Sequence, residues 1–339
     1  MSHPDFRLSL VVPVYNEEES IDAFINAIDN ELAPLKDQLE IVFVNDGSRD
    51  RTREVVEQAI ARDPRITLVN LARNFGKEAA MTAGLHQAKG DAIVPMDVDL
   101  QDPPALILEF VKLWQTGDYD TVYGIRVDRS ADTPMKRLTA GGFYRFFNAL
   151  STSTKLPENA GDFRLIDRRV VEAIKQLPER NRFMKGLFAW AGFRAVGVPY
   201  ERPARHAGET KFNYWKLWNF ALDGLLSFSS WPLRVWSYVG VSVSLVAFLY
   251  ILKIITQVLF FGIDVPGYAS LMSVVLFLGG IQLLSLGIIG EYIGRMFVEV
   301  KQRPVYLIEG VYGEYAKRDA NKKPDDVKEQ QEQQEQAPQ

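Results

Sequence analysis

From Leu8 to about Val127, short β-branched runs alternate with mixed stretches of helical length. LSLVVPV precedes EEESIDAFINAIDNEL, EIVFVND precedes RDRTREVVEQAIARD, ITLVNLA precedes GKEAAMTAGLHQA, and DAIVPMD precedes PALILEFVKLWQT; DTVYGIR closes the series. Strand runs that lack a polar face are buried on both sides. Their alternation with helices predicts a mainly parallel sheet covered by helices on both faces. In such sheets ligands collect at the carboxyl ends of the strands. Four polar clusters fall there: YNEEE, NDGSRD, RNFGK and DVDLQDPP.

Beyond Asp128 the pattern changes. PMKRLTAGGFYRFFNAL and KFNYWKLWNFALDGLLSFSS mix aromatic with basic residues, a composition suited to helices lying in a membrane interface or packed on the main domain. GDFRLIDRRVVEAIKQL and a strand-like FRAVGVPYERPAR stand between them. Two apolar stretches follow, Val235 to Ile263 and Ser270 to Phe297. Each exceeds the roughly 20 residues that cross a ~30 Å hydrocarbon core. Their connection, GIDVPGY, has no Lys or Arg, whereas Arg234 precedes the first stretch and Arg295, Lys301 and Arg303 end or follow the second. The positive-inside rule then predicts a transmembrane hairpin with both outer ends in the cytoplasm. Lys253 reads as a side chain snorkelling to the far interface, Gln282 as a helix-to-helix hydrogen-bonding group, and Glu291 with Arg295 as a pair one helical turn apart. The predicted division is a cytoplasmic α/β domain over 1–210, an interfacial helix over 211–232, two membrane helices over 233–298, a cytoplasmic return over 299–314 and a disordered, Gln-rich tail over 315–339.

Composition narrows the chemistry. The chain has 339 residues, 47% of them hydrophobic, and a formal charge of −4, which gives no general attraction to nucleic acid. It has no cysteine, so disulfides, thiolate catalysis and Cys-ligated zinc are excluded; with only His3, His86 and His206, any metal is expected to be held by oxygen. The opening MSHPDFRLSLVVPVYNEEE has neither a basic n-region nor a long apolar core, so no secretory signal is expected.

The densest carboxylate cluster is MDVDLQDPP at Met96 to Pro104. If the strand continues through it, Asp97, Asp99 and Gln101 lie on one alternation and converge on a hard divalent cation, Mg²⁺ or Mn²⁺, that relieves the repulsion. The alternative is a solvated turn. Asp102 with Pro103 and Pro104 reads as the strand's end and the start of the next helix. Tyr15, Asn16 and Glu17 leave the first strand; Asp46 leaves the second with acceptors for a base or ribose, Gly47 permits a tight turn, and Ser48 is placed to cap the next helix.

The ordered set V-P-x-Y-N-E, V-N-D-G-S and D-V-D-L-Q-D-P-P, with helix-sized gaps, resembles the Rossmann-like nucleotide-sugar domain of GT-A glycosyltransferases. GDFRLIDRRV, RPARHAGETKFNYWKL and the terminal hairpin ending in GEYIGR extend the resemblance to polyprenyl-phosphate glycosyltransferases, the dolichyl-phosphate mannose synthase relatives. Within that group the likeness is greatest to bacterial undecaprenyl-phosphate (bactoprenol) glucosyltransferases, over roughly Leu8 to Val311. The resemblance implies that Pro13, Tyr15, Glu17, Asp46, Ser48, Asp97 and Lys211 contact the donor nucleotide. It places Asp97, Asp99 and Gln101 at a Mg²⁺ or Mn²⁺ beside the diphosphate, Asp162 at the reaction centre, and Arg126, Arg137 and Arg205 at phosphates. It further implies a bacterial inner-membrane enzyme, a homotetramer, and a flippase and second glycosyltransferase downstream in O-antigen modification. Val98 departs from the family, where Ala is frequent.

The expected activity is inverting, metal-dependent transfer of glucose from UDP-glucose to undecaprenyl phosphate. Transfer of mannose, N-acetylhexosamine or aminoarabinose fits the same motifs. A processive polysaccharide synthase would carry Q-x-x-R-W where this chain has PERNRFMKG, and an inactive membrane scaffold would need no ordered carboxylates.

Overall fold

The structure, a computed structural model, describes residues 6–126, 160–180, 182–201, 231–261 and 267–313. The expected alternation is present: β1 (Leu8–Val14), α1 (Ile21–Glu31), β2 (Leu39–Asn45), α2 (Thr52–Arg62), β3 (Ile66–Leu71), α3 (Lys77–Gln87), β4 (Ala92–Pro95), α4 (Leu106–Gln115) and β5 (Thr121–Arg126). Then come β6 (Ala160–Asp167), α5 (Arg168–Lys175), α6 (Met184–Trp190), β7 (Ala195–Tyr200), two long helices, α7 (Trp231–Phe261) and α8 (Tyr268–Val300), and a last strand, β8 (Ile308–Tyr312). The segments expected at the membrane interface, Lys136 to Leu150 and Lys211 to Phe228, together with Arg137, Arg205, Lys211 and the tail from Tyr315, lie outside the described residues.

Among the described residues one sheet has the order β7-β5-β6-β4-β1-β2-β3-β8. β1 pairs in parallel with both β2 and β4, β2 with β3, and β5 with β7. The sheet is therefore mainly parallel, as the apolar runs predict. Two strands run the other way: β6 is antiparallel to β4 and β5, and β8 is antiparallel to β3. Hydropathy alone could not reveal those directions, because strands buried on both faces read alike whichever way they run.

Alternation along β1 sends Leu8, Leu10, Val12 and Val14 into one core layer with Phe24 and Ile28 of α1, Val56 of α2 and Phe110 of α4. Val11 faces the opposite layer, with Ala80 and Ala83 of α3, Val171 of α5 and Leu187 of α6. Each fully buried Val, Leu, Ile or Phe contributes about 1.5–3 kcal/mol relative to an exposed one. Close packing of α3 on β1 needs a residue without Cβ: a Cβ on Gly84 would lie 2.3 Å from Val11 Cγ1.

The two long helices agree with the hairpin. Phe277–Val300 has a mean hydropathy of 1.4, is long and apolar enough to cross a membrane, and is not buried within the chain. In α7 the apolar stretch found among the described residues is Tyr238–Tyr250. Glu291 and Arg295 form the expected pair at 3.0 Å.

After the second helix the chain is built into the α/β domain, where sequence reading expected only a return segment. The Glu299 carboxylate accepts from the Arg180 N–H at 2.9 and 3.0 Å, Tyr306 Oη lies 2.7 Å from His86 Nδ1, and Ala72 N donates to Leu307 O. β8 then covers the outer edge of β3.

Candidate active site

β1 continues to β2 on one side and lies against β4 on the other, so the strand order reverses at β1 and opens a crevice beyond the carboxyl ends of β1 and β4. The loops there are tied to one another. Asn16 N donates to Ser48 Oγ at 3.0 Å, Glu17 N to Thr52 Oγ1 at 2.9 Å, and Arg49 N to Asn16 Oδ1 at 2.8 Å. Asn16 itself has φ 53°, a left-handed backbone that Asn tolerates better than most residues. Ser48 thus joins two loops; it does not cap α2, which begins only at Thr52 and has Arg51 at its N-cap.

The buried carboxylate of Asp46 accepts from Phe75 N at 2.7 Å and Gly76 N at 2.9 Å, fixing the loop after β3 against the loop after β2. Burial pushes its pKa up, opposed by those two N–H groups and by Arg73. Gly47 is required at this crossing: its φ is 66°, and a Cβ would meet the Arg73 and Asn74 backbone at 2.5 Å. Pro13, next to last in β1, lies opposite Val44, Tyr15 is exposed, and the Glu17 carboxylate accepts from Ser20 Oγ at 2.9 Å.

The expected alternation of Asp97, Asp99 and Gln101 on a continuing strand is not what the chain does. β4 ends at Pro95, and residues 98–100 turn, with Leu100 at φ 55°. Pro95 has no N–H with which to continue a ladder, and the left-handed residue breaks the two-residue period. Asp99 Oδ1 instead accepts from Gln101 N at 3.2 Å, and Gln101 is buried. Asp97 turns to Lys77, at the first position of α3, whose Nζ lies 2.6 and 2.9 Å from its two carboxylate oxygens.

The same ammonium is 3.4 Å from Asp162 Oδ2, and Lys185 Nζ of α6 is 3.8 Å from Asp162 Oδ1. Asp162 reaches this edge because β6 is antiparallel: its amino-terminal end lies beside the carboxyl end of β4. Among the described residues no donor hydrogen-bonds to Asp162 Oδ1, although that atom is buried. Burial alone would raise the carboxyl's pKa; the charges of Lys185, Lys77 and Arg164 outweigh it and hold it at about 2. Burial would lower Lys77, but Asp97 and Asp162 together hold it above the usual lysine range. Next to Lys77, Glu78 accepts from Met184 N at 3.0 Å. Burial and the Asp162 charge push Glu78 up to about 7.

Asp102, read from sequence as a strand stop, is buried, with Tyr200 Oη donating to its Oδ1 at 2.6 Å and Arg126 Nη2 at 3.9 Å. Arg126 Nε donates to the same Tyr200 oxygen at 3.2 Å. Asp102 and the carboxylate of Tyr200's partner are thus one and the same, and burial with that charge pushes the phenol up to about 12. Gly161 leaves room for the arginine, since a Cβ there would lie 3.1 Å from Nη2.

The structure therefore brings Asp97 and Asp162 together through one lysine, and sets Arg126 and Asp102 beside them. Arg164 and Arg168, close to Asp162 in sequence, donate to backbone carbonyls: Arg164 Nη2 to Gly161 O, and Arg168 to the Ala88 and Gly90 carbonyls. Sequence reasoning missed Lys77, Glu78, Lys185 and Tyr200. The signal for Lys77 was its place in RNFGK, a polar cluster at a strand end; Lys185 and Tyr200 carried none.

A divalent cation fits the donor set of this corner. Asp97 and Asp99 offer hard oxygens, Asp97 being paired with Lys77, and among the described residues no group of three or more His, Cys, Asp or Glu is placed to hold a metal ion by itself. Such a half-cage suits Mg²⁺ or Mn²⁺ completed by substrate phosphate oxygens and water.

Comparison with protein families matches residues 9–175 to "Glycosyl transferase family 2" and residues 231–296 to the "GtrB C-terminal hairpin". An uncharacterized glycosyltransferase of Synechocystis is 52% identical over 307 residues, covering 91% of this chain and 96% of that one. The SfII prophage-derived bactoprenol glucosyl transferase of Shigella flexneri is 51% identical, covering 89% and 97%. The prophage bactoprenol glucosyl transferase homolog of Escherichia coli is 50% identical, covering 90% and 99%. Among solved structures, glucosyl-3-phosphoglycerate synthase of Mycobacterium tuberculosis, in complex with Mn²⁺, UDP-glucose and phosphoglyceric acid, overlaps in part: TM-score 0.44, 20% identity, over 67% of this chain and 80% of that one.

Proposed function

Since the chain belongs to glycosyl transferase family 2 and is a glycosyltransferase of the α/β, GT-A class, we propose that it transfers glucose from UDP-glucose to undecaprenyl phosphate with inversion at the anomeric carbon. The observation that carries this reading is the Asp97–Lys77–Asp162 cluster, at the strand ends of a domain continuous with a membrane hairpin. Relatives named as bactoprenol glucosyl transferases, about half identical over nearly their whole length, supply the sugar and the lipid.

In this reading Pro13, Tyr15, Glu17, Asp46 and Ser48, with Lys211, hold the nucleotide. Asp97, Asp99 and Gln101 would hold Mg²⁺ or Mn²⁺, whose chemistry would be to neutralise the departing diphosphate. Lys77 adds a fixed positive charge beside it, and Arg126, Arg137 and Arg205 bind phosphates through paired guanidinium hydrogen bonds. The acceptor phosphate, with a second pKa of about 6, is largely a dianion at neutral pH and needs little deprotonation. A good general base has a pKa near the working pH. Asp162, held at about 2, is a poor one. Its role is therefore electrostatic: it stays ionised, orients Lys77 and Lys185, and offers Oδ1, to which no donor hydrogen-bonds among the described residues, to positive charge developing at the anomeric carbon. A single attack by the lipid phosphate converts an α-linked donor to a β-linked product.

The lipid's tail stays in the bilayer and its phosphate at the surface. The reading accordingly includes the bacterial inner membrane, with the α/β domain and both termini cytoplasmic, assembly as a homotetramer, and a flippase and second transferase that use the product. The test is to incubate membranes containing the protein with radiolabelled UDP-glucose, undecaprenyl phosphate and Mg²⁺. Lipid-soluble label is expected, and Asp99→Ala and Asp162→Asn are expected to abolish it. Absence of label with a panel of nucleotide sugars would refute the transfer. Label only from another sugar would replace glucose, and polymeric product would favour a polysaccharide synthase.

A further inference from the structure

β8 enters the sheet at the same edge as the candidate site, because it is antiparallel to β3 and its first residues lie beside β3's carboxyl end, with Ile308 opposite Leu71 and Gly310 opposite Asn70. From there a file of side chains crosses two strands. Glu309 Oε2 accepts from Asn70 Nδ2 at 2.5 Å, Asn70 Oδ1 accepts from Asn45 Nδ2 at 2.6 Å, and Asn45 Oδ1 accepts from Ser48 N at 3.1 Å. Ser48 Oγ in turn accepts from Asn16 N. Asn45 and Asn70 are buried at the ends of β2 and β3, and Glu309 is half exposed on the last strand.

The file has a direction. An amide side chain offers a donor at one end and an acceptor at the other, and can turn over. An ionised carboxylate can only accept. Glu309 therefore fixes Asn70 with its NH₂ outward and its carbonyl toward Asn45. Asn45 must then give its NH₂ to Asn70, which leaves its carbonyl for the Ser48 N–H. Were the outer group a donor, both amides would turn over and two N–H groups would face each other at Ser48. Asn45 and Asn70 are buried and Ser48 is partly so, which limits the water available to repair the mismatch.

We propose that Glu309, on the strand that follows the membrane hairpin, is a positioning residue for the donor-nucleotide loops, acting through the polarity of Asn70 and Asn45 on Ser48 and Asn16. This inference rests on the reading that those loops hold a uridine diphosphate. Glu309 touches no reacting atom; its effect is on donor binding.

The test uses the full-length protein in detergent, with UDP binding by titration calorimetry in Mn²⁺ and, separately, KM and kcat for UDP-glucose. Loss of one such hydrogen bond corresponds to about three- to ten-fold in affinity. Glu309→Lys, a donor, is expected to weaken UDP binding and raise KM by that factor, with kcat within about two-fold. Glu309→Gln can still accept, and is expected to stay within about two-fold of the parent in both. Arg53→Ala is the control for mere anchoring of β8. Arg53 pairs with Glu309 at 3.4 Å and donates to Tyr312 Oη at 2.8 Å, but it lies outside the file, so UDP binding should be unchanged. A simple charge effect would make Glu309→Lys bind the anionic nucleotide more tightly, and that result overturns the proposal. So does equal behaviour of the Lys and Gln variants, or a loss in Arg53→Ala as large as in Glu309→Lys. A parent chain that binds no UDP overturns the donor reading and this inference together, whereas one that binds UDP but transfers no glucose sinks only the transfer, the file then being judged on UDP binding.

Discussion

Lys77→Met tests the central cluster most directly. The ammonium lies 2.6 Å from Asp97 Oδ1 and 3.4 Å from Asp162 Oδ2, so a cation bound by Asp97 must share that carboxylate with it. Unit charges about 4 Å apart interact by about 4 kcal/mol at an effective dielectric constant near 20. The side chains of Lys77 and Asp97 are 43% and 36% exposed, and measured values for exposed pairs are about 1 kcal/mol or less. Taking about 1 kcal/mol as the competition removed, Lys77→Met should bind Mn²⁺ about five-fold more tightly in the absence of nucleotide. The same change removes the Lys77 charge from Asp97, and leaves Asp162 with the more distant Lys185 and Arg164, when no metal is present. In EDTA the variant should therefore unfold at a lower temperature than the parent, and saturating Mn²⁺ should raise its Tm by more than the parent's. The assay is Mn²⁺ titration of the full-length protein at fixed ionic strength, paired with thermal unfolding. Unchanged or weaker Mn²⁺ binding would refute the idea that lysine and metal compete for Asp97.

Two further substitutions probe the flanks of the site. Tyr200→Phe removes the 2.6 Å donor from buried Asp102 and leaves Arg126 at 3.9 Å. A hydrogen bond to a buried charged group is worth about 1.5–3 kcal/mol, part of which the arginine can recover by closing in, so Tm should fall by about 3–6 °C. An unchanged Tm would show that the other partners of Asp102, Arg126 among them, satisfy the carboxylate. Glu78→Gln keeps an acceptor for Met184 N but removes a group whose pKa rises on folding from an ordinary 4.5 to about 7. Between those values the folded state binds more protons than the unfolded, so the parent loses stability as pH rises through that window, while the glutamine variant does not. The Tm difference, variant minus parent in EDTA, should grow from about pH 4.5 to 7 and then level off; a flat difference would mean that Glu78 titrates normally. Asp162 has the opposite sign: its depressed pKa gives stability present above the ordinary 3.8 and lost as pH falls toward about 2.

Much of this architecture was legible in the chain because it is local. The apolar runs of β1 to β5 and the helices between them are set by period and propensity, and the loops YNEEE, NDGSRD and DVDLQDPP fall at strand ends by that pattern alone. What escaped depends on contacts distant in sequence. Lys77 reads as an ordinary charge in the first turn of a helix until β6 reverses direction and brings Asp162 beside it. Tyr200 and Asp102 are 98 residues apart, and no spacing rule connects them. The alternation of Asp97 with Asp99 failed for a local reason that was visible: Pro95 cannot extend a ladder, and LQDPP is turn-forming composition.

The return strand changes how the membrane anchor is understood. A hairpin appended after an α/β domain needs only one linker, and a body held at one point can tumble about it. Among the described residues β7 is the last strand before the hairpin and β8 the strand after it, and these are the two outermost strands of the sheet. Seven interstrand spacings of about 4.8 Å set the two strands about 34 Å apart. The re-entry ties the second long helix directly to the domain, through the Glu299 carboxylate at Arg180 N and the pairing of β8 with β3. β8 serves a second end as well. It pairs with what would be an exposed edge of β3, removing a site for adventitious strand addition, and it carries Glu309 to the end of the polar file that reaches Ser48. Anchoring, edge protection and loop polarity thus fall to the same five residues, Ile308–Tyr312, so deleting them should cost more than the loss of one peripheral strand.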